Sequence, residues 1–175
     1  WYKIHGRDLP FRNTNDPYKI WICEIIFQQT RIEQGLNHYN RFVKRFPNVQ
    51  TLAEAENDEV LLYWKGLGYY SRALNLHKAA LQIENEFNGK FPENYDDILS
   101  LKGVGKYTAA AVSSICFGAK IPAVDGNFYR VLSRVFADDF DISKSKAFSC
   151  FSELALRRMP ENEAGHCNEA MMDLG

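Results

Sequence analysis

Apolar positions along this chain recur mainly at helical spacing. Ile32, Leu36, Tyr39, Phe42 and Phe46 share one helix face. Caps and breakers mark the other elements. Asp16-Pro17 sets an N-cap before a proline at the first helical position and opens a run to residue 28. Asn57 is suited to cap a helix over 58–64, and Ser71 one that reaches residue 87, where Asn88-Gly89 stops it. Helices over 95–101 and 107–117 flank Gly103-Val104-Gly105, and others are predicted over 127–136, 143–158 and 164–174. No segment alternates with period two for long, so no sheet is expected. The pattern predicts an all-α fold of about nine short helices joined by tight turns.

Composition sharpens this picture. With 46% hydrophobic and 14% aromatic residues over 175 positions, the chain can bury a real core and is not expected to be disordered. No apolar run approaches the roughly 18 residues that span a membrane, and no signal-peptide pattern opens the chain. It begins at Trp1 and ends at Gly175 in what reads as mid-helix, so a fragment of a longer protein is expected. Cys23, Cys116, Cys150 and Cys167 form no C-x-x-C pair and read as buried thiols of a reducing compartment, which places the protein inside the cell, in cytoplasm or nucleoid. His5, His38, His77 and His166 have no metal-ligand spacing and read as surface or packing residues. The net charge of −1 says nothing of nucleic acid, but residues 99–124 contain no acidic side chain while carrying Lys102, Lys106 and Lys120. That stretch could face phosphate or simply be a solvated surface.

Gly103-Val104-Gly105 between two helices is the most specific local signal. Two glycines allow a tight turn with bare N–H groups, and such groups at a helix start bind phosphate. A P-loop is excluded, because Ser100 stands where its first glycine belongs and Tyr107 replaces its Ser or Thr. Gly66-Leu67-Gly68 is not a dinucleotide fingerprint either: Ser71 occupies the third glycine position and no strand precedes it.

Two carboxylates are candidates for chemistry. Glu24 lies among Ile22, Cys23, Ile25, Ile26 and Phe27. It is either on a narrow polar stripe or partly buried, and burial would raise its pKa towards that of a useful general acid. Asp125, just before a predicted helix, reads locally as an N-cap; the functional alternative is a carboxylate held ionised by helix N–H groups beside a developing positive charge. Gln28-Gln29-Thr30 supplies neutral hydrogen-bonding side chains. Tyr69 and Tyr70, on a glycine turn, could wedge into stacked bases or pack in the core.

These pieces, taken in order, resemble the MutY-type adenine DNA glycosylases of the helix-hairpin-helix superfamily. The resemblance runs from Trp1-Tyr2, His5-Gly6-Arg7 and Leu9-Pro10-Phe11-Arg12 through Asp16-Pro17-Tyr18, Glu24 with Gln28-Gln29-Thr30, and Gly66-Leu67-Gly68-Tyr69-Tyr70. It continues through Asn75-Leu76-His77-Lys78-Ala79-Ala80, Gly103-Val104-Gly105 and Asp125-Gly126-Asn127 to the segment from Asn168 to Gly175. It implies a six-helix barrel over 14–121, with the helix-hairpin-helix at about 95–117, and a second helical domain from 1–13 and 122–175, cut before an iron–sulfur segment. It implies excision of adenine mispaired with 8-oxoguanine or guanine in double-stranded DNA by a monomeric, monofunctional base-excision enzyme.

By the same resemblance, Glu24 protonates the extruded base, and Asp125 stabilises the oxocarbenium-like sugar electrostatically or through a transient adduct. Tyr107 and Asn127 orient these groups. Arg7, Arg12 and Glu169 surround the adenine. Gln29 and Tyr69 probe the opposite base, and Thr30, Gly68, Gly103, Gly105 and Lys106 lie on the DNA side. The carbonyls of Leu99, Leu101 and Val104 match a hairpin cation site. Tyr107 stands where the endonuclease III branch carries its attacking lysine, so lyase chemistry is not expected. A four-iron cluster is implied for the full-length protein, held by cysteines beyond this terminus; none of the chain's own cysteines is a ligand. Phe11 departs from the usual Trp and Phe27 from the usual Leu. Two alternatives stand beside the adenine reading. One is excision of thymine from G:T pairs or of an oxidised pyrimidine. The other is a helix-hairpin-helix DNA-binding module without catalysis.

Overall fold

Asp16 caps the first long helix as its sequence position requires: its Oδ1 accepts the N–H groups of Tyr18 (3.0 Å) and Lys19 (3.4 Å). That helix begins the core of a computed structural model that describes residues 1–136 and 141–175. The described residues are helical, with no strand among them. In chain order they form α1 (Tyr2–His5), a 3-10 turn (Pro10–Arg12), α2 (Pro17–Ile26), α3 (Ile32–Arg45), α4 (Val49–Ala53), α5 (Asn57–Trp64) and α6 (Ser71–Glu86). There follow α7 (Tyr95–Ser100), α8 (Lys106–Phe117), α9 (Gly126–Phe136), α10 (Ala147–Arg158) and α11 (Ala164–Leu174). None is long and apolar enough to cross a membrane.

Three short elements escape a periodicity argument because they carry too few turns: α1, the 3-10 turn and α4. α4 is set by a capping box, Asn48 Oδ1 accepting Thr51 N–H at 2.9 Å while Thr51 Oγ1 accepts Asn48 N–H. Other expected boundaries shift. Asn57 and Ser71 are not caps; the helices begin behind Glu56 and Tyr70, without side-chain capping. The helix expected from residue 143 begins at Ala147. Ser143 instead closes a turn on Asp141, donating its N–H (3.0 Å) and hydroxyl (2.7 Å) to the carboxylate. Only Cys23 is a buried thiol; Cys116, Cys150 and Cys167 are half-buried.

The core has two main clusters. A large one gathers buried residues from Phe11 to Val112, with Trp21, Phe42, Phe46 and Trp64 fully enclosed. A smaller one joins Val124, Phe128 and Leu132 to Phe151 and Ala155 of α10. Ala110, Ala111 and Ala123 form a seam between α8 and the segment that leads to α9. α11 also crosses α8 closely: a Cβ on Gly165 would lie 2.8 Å from Ile115 Cα, so only glycine fits there. Fully buried Asn168 fixes the crossing. It donates to Ser114 Oγ (2.7 Å) and the Ile121 carbonyl (3.0 Å) and accepts Ala123 N–H (3.0 Å). Those bonds hold the extended segment leading to Asp125 against α8 and α11.

The hairpin between α7 and α8 turns on Leu101 O accepting Val104 N–H at 3.0 Å. Gly103 sits at φ +77°, and a Cβ there would lie 2.6 Å from Asn75 Cβ. Conformation and space both demand glycine. At Gly105, in front of α8, a Cβ would meet nothing within 4 Å, which leaves the backbone open to an incoming group.

Candidate active site

A cavity of about 300 Å³ opens where α2, α8, α9, α11 and the N-terminal segment converge, and Arg7, Arg12, Glu24, Thr30, Tyr107, Asp125, Asn127 and Glu169 all line it. Each element delivers its residue for a local reason. α2 buries Ile20, Trp21, Ile22, Cys23, Ile25 and Ile26 almost all round, so Glu24 on its remaining face points into the cavity. Burial in that apolar helix pushes the Glu24 carboxyl up to about 7. A hydrogen bond from Tyr107 and the charge of Arg12 oppose the rise, while the carboxylates of Asp125 and Glu169 support it.

Asp125 is the N-cap that its local sequence predicts, and it also lines the cavity. Its Oδ1 accepts the N–H groups of Asn127 (2.9 Å) and Phe128 (3.1 Å), capping α9, and its Oδ2 accepts Asn127 Nδ2 at 2.8 Å. Three N–H donors thus converge on its carboxylate, while it lines the same cavity as Glu24. Asn127 is oriented in turn by Arg130, whose guanidinium donates to its Oδ1. The Tyr107 hydroxyl lies between the Glu24 carboxyl and Met172, with Sδ at 3.6 Å. Burial first, and then the carboxylates of Glu24 and Asp125, hold the phenol well above its ordinary pKa, so Tyr107 acts only as a neutral donor.

The arginines meet a partner that spacing in the sequence did not single out. Asp173, its side chain 1% exposed, accepts two bonds from Arg12 (2.6 and 2.8 Å) and the Arg7 Nε at 2.7 Å and N–H at 3.0 Å. Burial alone would raise this carboxyl, but the two guanidiniums and the Arg7 N–H hold it below its ordinary value. Tyr2 donates to Glu169 at 2.8 Å and accepts from Arg12 at 3.2 Å. One available signal was the four-residue step from Glu169 to Asp173, which puts two carboxylates on one face of α11 and calls for an intervening cation. Nothing in the spacing of Tyr2 announces its role. The two departures in the pocket wall, Phe11 and Phe27, touch each other with ring centroids 4.9 Å apart. Phe27 fits because residue 35 is glycine; a Cβ there would come within 2.5 Å of the ring.

The other expected positions lie outside this cavity. Gln29 and Tyr69 are exposed and sit at positive φ, 56° and 44°, on neighbouring turns, with Gly68 beside Tyr69 at φ +69°. Neither Tyr69 nor Tyr70 packs into the core; they are 67% and 47% exposed. Gly103, Gly105 and Lys106 are exposed on the hairpin, where Lys106 Nζ lies 5.2 Å from the Phe148 ring centre. Leu101 O accepts the Val104 N–H yet keeps a second lone pair, so the carbonyls of Leu99, Leu101 and Val104 are chemically suited to a hard cation. The four cysteines lie on α2, α8, α10 and α11, and no metal-holding group of three His, Cys, Asp or Glu occurs among the described residues. These residues do not fit an iron–sulfur cluster.

Known proteins resemble this chain in sequence and in fold. Over its whole length the chain is 36% identical to the adenine DNA glycosylase of Buchnera aphidicola subsp. Schizaphis graminum and spans 51% of that protein. It is also 36% identical to the adenine DNA glycosylase of Homo sapiens, spanning 34% of it. The chain thus covers about half or less of these curated relatives. A thermostable thymine-DNA glycosylase superposes with a TM-score of 0.88 at 32% identity, covering 98% of this chain and 79% of the other. An endonuclease III bound to DNA shares the fold at a TM-score of 0.83 and 21% identity, over 99% of this chain and 80% of that one. Residues 22–155 match the family described as HhH-GPD superfamily base excision DNA repair protein, and the chain belongs to that superfamily.

Proposed function

We propose that the chain is the catalytic part of a monofunctional adenine DNA glycosylase, acting as a monomer on double-stranded DNA in cytoplasm or nucleoid. Its substrate is adenine opposite 8-oxoguanine or guanine. The observation that carries this reading is the pairing of unlike carboxylates on one cavity: Glu24, raised to about 7 by burial, and Asp125, held by three N–H donors. Two such groups divide acid and electrostatic roles. The relatives' names favour adenine.

An adenine inside a stacked duplex is out of reach, so it is first flipped into the cavity, among Arg7, Arg12 and Glu169. Glu24 then gives its proton to N7. The bond from C1′ to N9 breaks, and its electron pair leaves with the base. The positive charge left on the sugar faces Asp125. Water adds to C1′, and its proton returns to Glu24, leaving an abasic site. Tyr107 and Asn127 hold the two carboxylates in place. Tyr107 has no amine, and Lys106 is exposed beside Phe148, so no Schiff base cuts the strand. Thr30 lies at the cavity wall, with Gln29, Gly68 and Tyr69 facing the opposite strand. Gly103, Gly105 and Lys106, with a cation on the carbonyls of Leu99, Leu101 and Val104, hold a phosphate. The chain divides into a barrel over 14–121 and a second domain from 1–13 and 122–175; the separate cluster of Val124, Phe128, Leu132, Phe151 and Ala155 supports the division on the C-terminal side, while Phe11 packs into the barrel's own core.

Thymine in G:T pairs is the second reading, favoured by the likeness to a thymine-DNA glycosylase at 32% identity. Single-turnover base release decides between them, from duplexes with A opposite 8-oxoguanine, A opposite G, and T opposite G, scored with and without alkali. Adenine release that needs alkali for strand cleavage and vanishes in Glu24→Gln supports the first reading. Thymine release supports the second. Salt-sensitive binding with no release from any duplex leaves only a binding module.

A further inference from the structure

Arg72 is the second residue of α6, a poor place for a cation, because the positive end of the helix dipole lies there. Its guanidinium turns away from α6 to the end of another helix. Nη1 donates to the carbonyls of Ile25 (2.9 Å) and Ile26 (3.2 Å), the last residues of α2, and to Gln28 O just beyond them. Those carbonyls have lost their helical partners and carry the negative end of the α2 dipole, so the cation is favourable there. Nη2 donates the other way, to Leu67 O at 3.1 Å. The planar group lies 5.3 Å from the Trp64 ring centre and 5.7 Å from that of Tyr69. Its Nε is buried without a partner, so the fork is aimed at these two turns rather than arranged to satisfy itself.

The turns it joins are unusual. Among the described residues, three non-glycine side chains have positive φ: Gln29, Tyr69 and Asn88. Asn tolerates that conformation, whereas Gln and Tyr are strained in it and stay there only when the surroundings insist. Both strained residues are exposed, and Arg72 grips the chain next to each. The second turn is also tied to the first turn of α3, which follows residues 28–30 directly: Gln34 Nε2 donates to Gly66 O at 3.2 Å.

We propose that Arg72 is a positioning residue that locks the 28–30 and 66–70 turns into one rigid unit, so that Gln29 and Tyr69 meet the strand opposite the extruded base together. Arg72 thereby governs discrimination of the opposite base and leaves the bond-breaking step alone. The specificity half of this inference rests on the proposed reading of Gln29 and Tyr69; the coupling half does not.

The test uses the full chain and Arg72→Lys, which keeps the charge but loses the planar fork, with Gln34→Ala as a milder second variant. Hydrogen exchange on the DNA-free proteins reads the coupling. In Arg72→Lys, amides of both turns exchange about tenfold faster together, while those of α8 are unchanged. Equilibrium binding to A:G against A:T duplexes, beside the release rate at saturating protein, reads the function. The affinity ratio falls about tenfold while the saturated rate stays within about threefold. Gln34→Ala moves both readouts the same way by less. Loosening of one turn alone, or of neither, overturns the coupling. An unchanged ratio, or equal loss of affinity for both duplexes, overturns the role in discrimination. Absence of base release by the unsubstituted chain overturns the glycosylase reading instead, and the exchange result still decides the coupling.

Discussion

The hairpin and the cavity are built in opposite ways. The hairpin is one continuous stretch: α7 leads through Gly103 into α8, and its form depends on one turn and a close approach to Asn75. The cavity takes Arg7 and Arg12 from one end of the chain, Glu169 from the other, and Glu24, Tyr107 and Asp125 from between. A local device is held by backbone conformation. A long-range one has to be held by charge and buried hydrogen bonds, here Asp173 between two arginines and Asn168 of α11 bonded to α8 and to the segment before Asp125. The two regions should therefore fail differently when perturbed.

The largest effect should come from the cavity's chemistry. Glu24→Gln lowers the single-turnover base-release rate by about 10³-fold, the scale of a lost general acid, with duplex affinity unchanged. In the unsubstituted chain the rate falls as pH rises through about 7, where the Glu24 proton is lost. The same group carries a stability signature of defined sign. Its folded pKa lies above the ordinary ~4.3, so its contribution to stability is complete below that value and is lost as pH rises towards the folded pKa. Glu24→Gln should thus melt roughly 4 °C above the unsubstituted chain at pH 8, with the gap narrowing by pH 5 in a calorimetric series.

Next comes the clamp that holds the cavity together. Asp173→Ala leaves two guanidiniums without their shared carboxylate, Arg12 in a site where its side chain is only 10% exposed. Loss of one partner of a buried pair costs about 3–5 kcal/mol, measurable by urea unfolding. The Asp173 carboxyl is held below its ordinary pKa, so its contribution is present above that range and is lost as pH falls through the folded value. The advantage of the unsubstituted chain over Asp173→Ala should shrink in acid.

The hairpin should break more gently. Gly103→Ala forces a side chain into φ +77° and against Asn75, at a cost of about 1–3 kcal/mol, also readable by urea unfolding. Lys106→Ala leaves folding alone and weakens DNA binding by less than tenfold whatever the sequence. Its trace is a salt dependence shallower by about one phosphate contact. If Lys106→Ala changed affinity for one duplex only, the hairpin would be reading bases and its contrast with the cavity would fail.

Helical periodicity was legible in α3, and the extent of α6 from the Asn88-Gly89 stop behind it, whereas α1 and α4 ran too few turns to show a period. Glu24 stood out as a carboxylate in an apolar helix, and Asp125 as a residue before a helix start; both depend only on nearest neighbours in the chain. Whether Glu24 faced solvent or protein was hidden, since that depends on α8 packing on α2 and on Asp125, Glu169 and Met172 lining the cavity beside it. Arg7, Arg12 and Asp173 all lay in matched motifs, but the pairing of Asp173 with the two arginines was not foreseen, because a contact spanning most of the chain leaves no local pattern. The turns at Gln29 and Tyr69 showed their residue types and hid their backbone strain. The grip of Arg72 on both was invisible from either.

By itself, then, the sequence determined the all-α class, the glycine hairpin and the identity of the groups that could carry chemistry, because propensity, capping and turn conformation act over a few residues. Only the tertiary structure decided which of those groups share a cavity, that burial pushes the Glu24 carboxyl up to about 7, and which cation pairs with which carboxylate. Those outcomes depend on desolvation and on distances between residues far apart in the chain, and both arise only when helices pack.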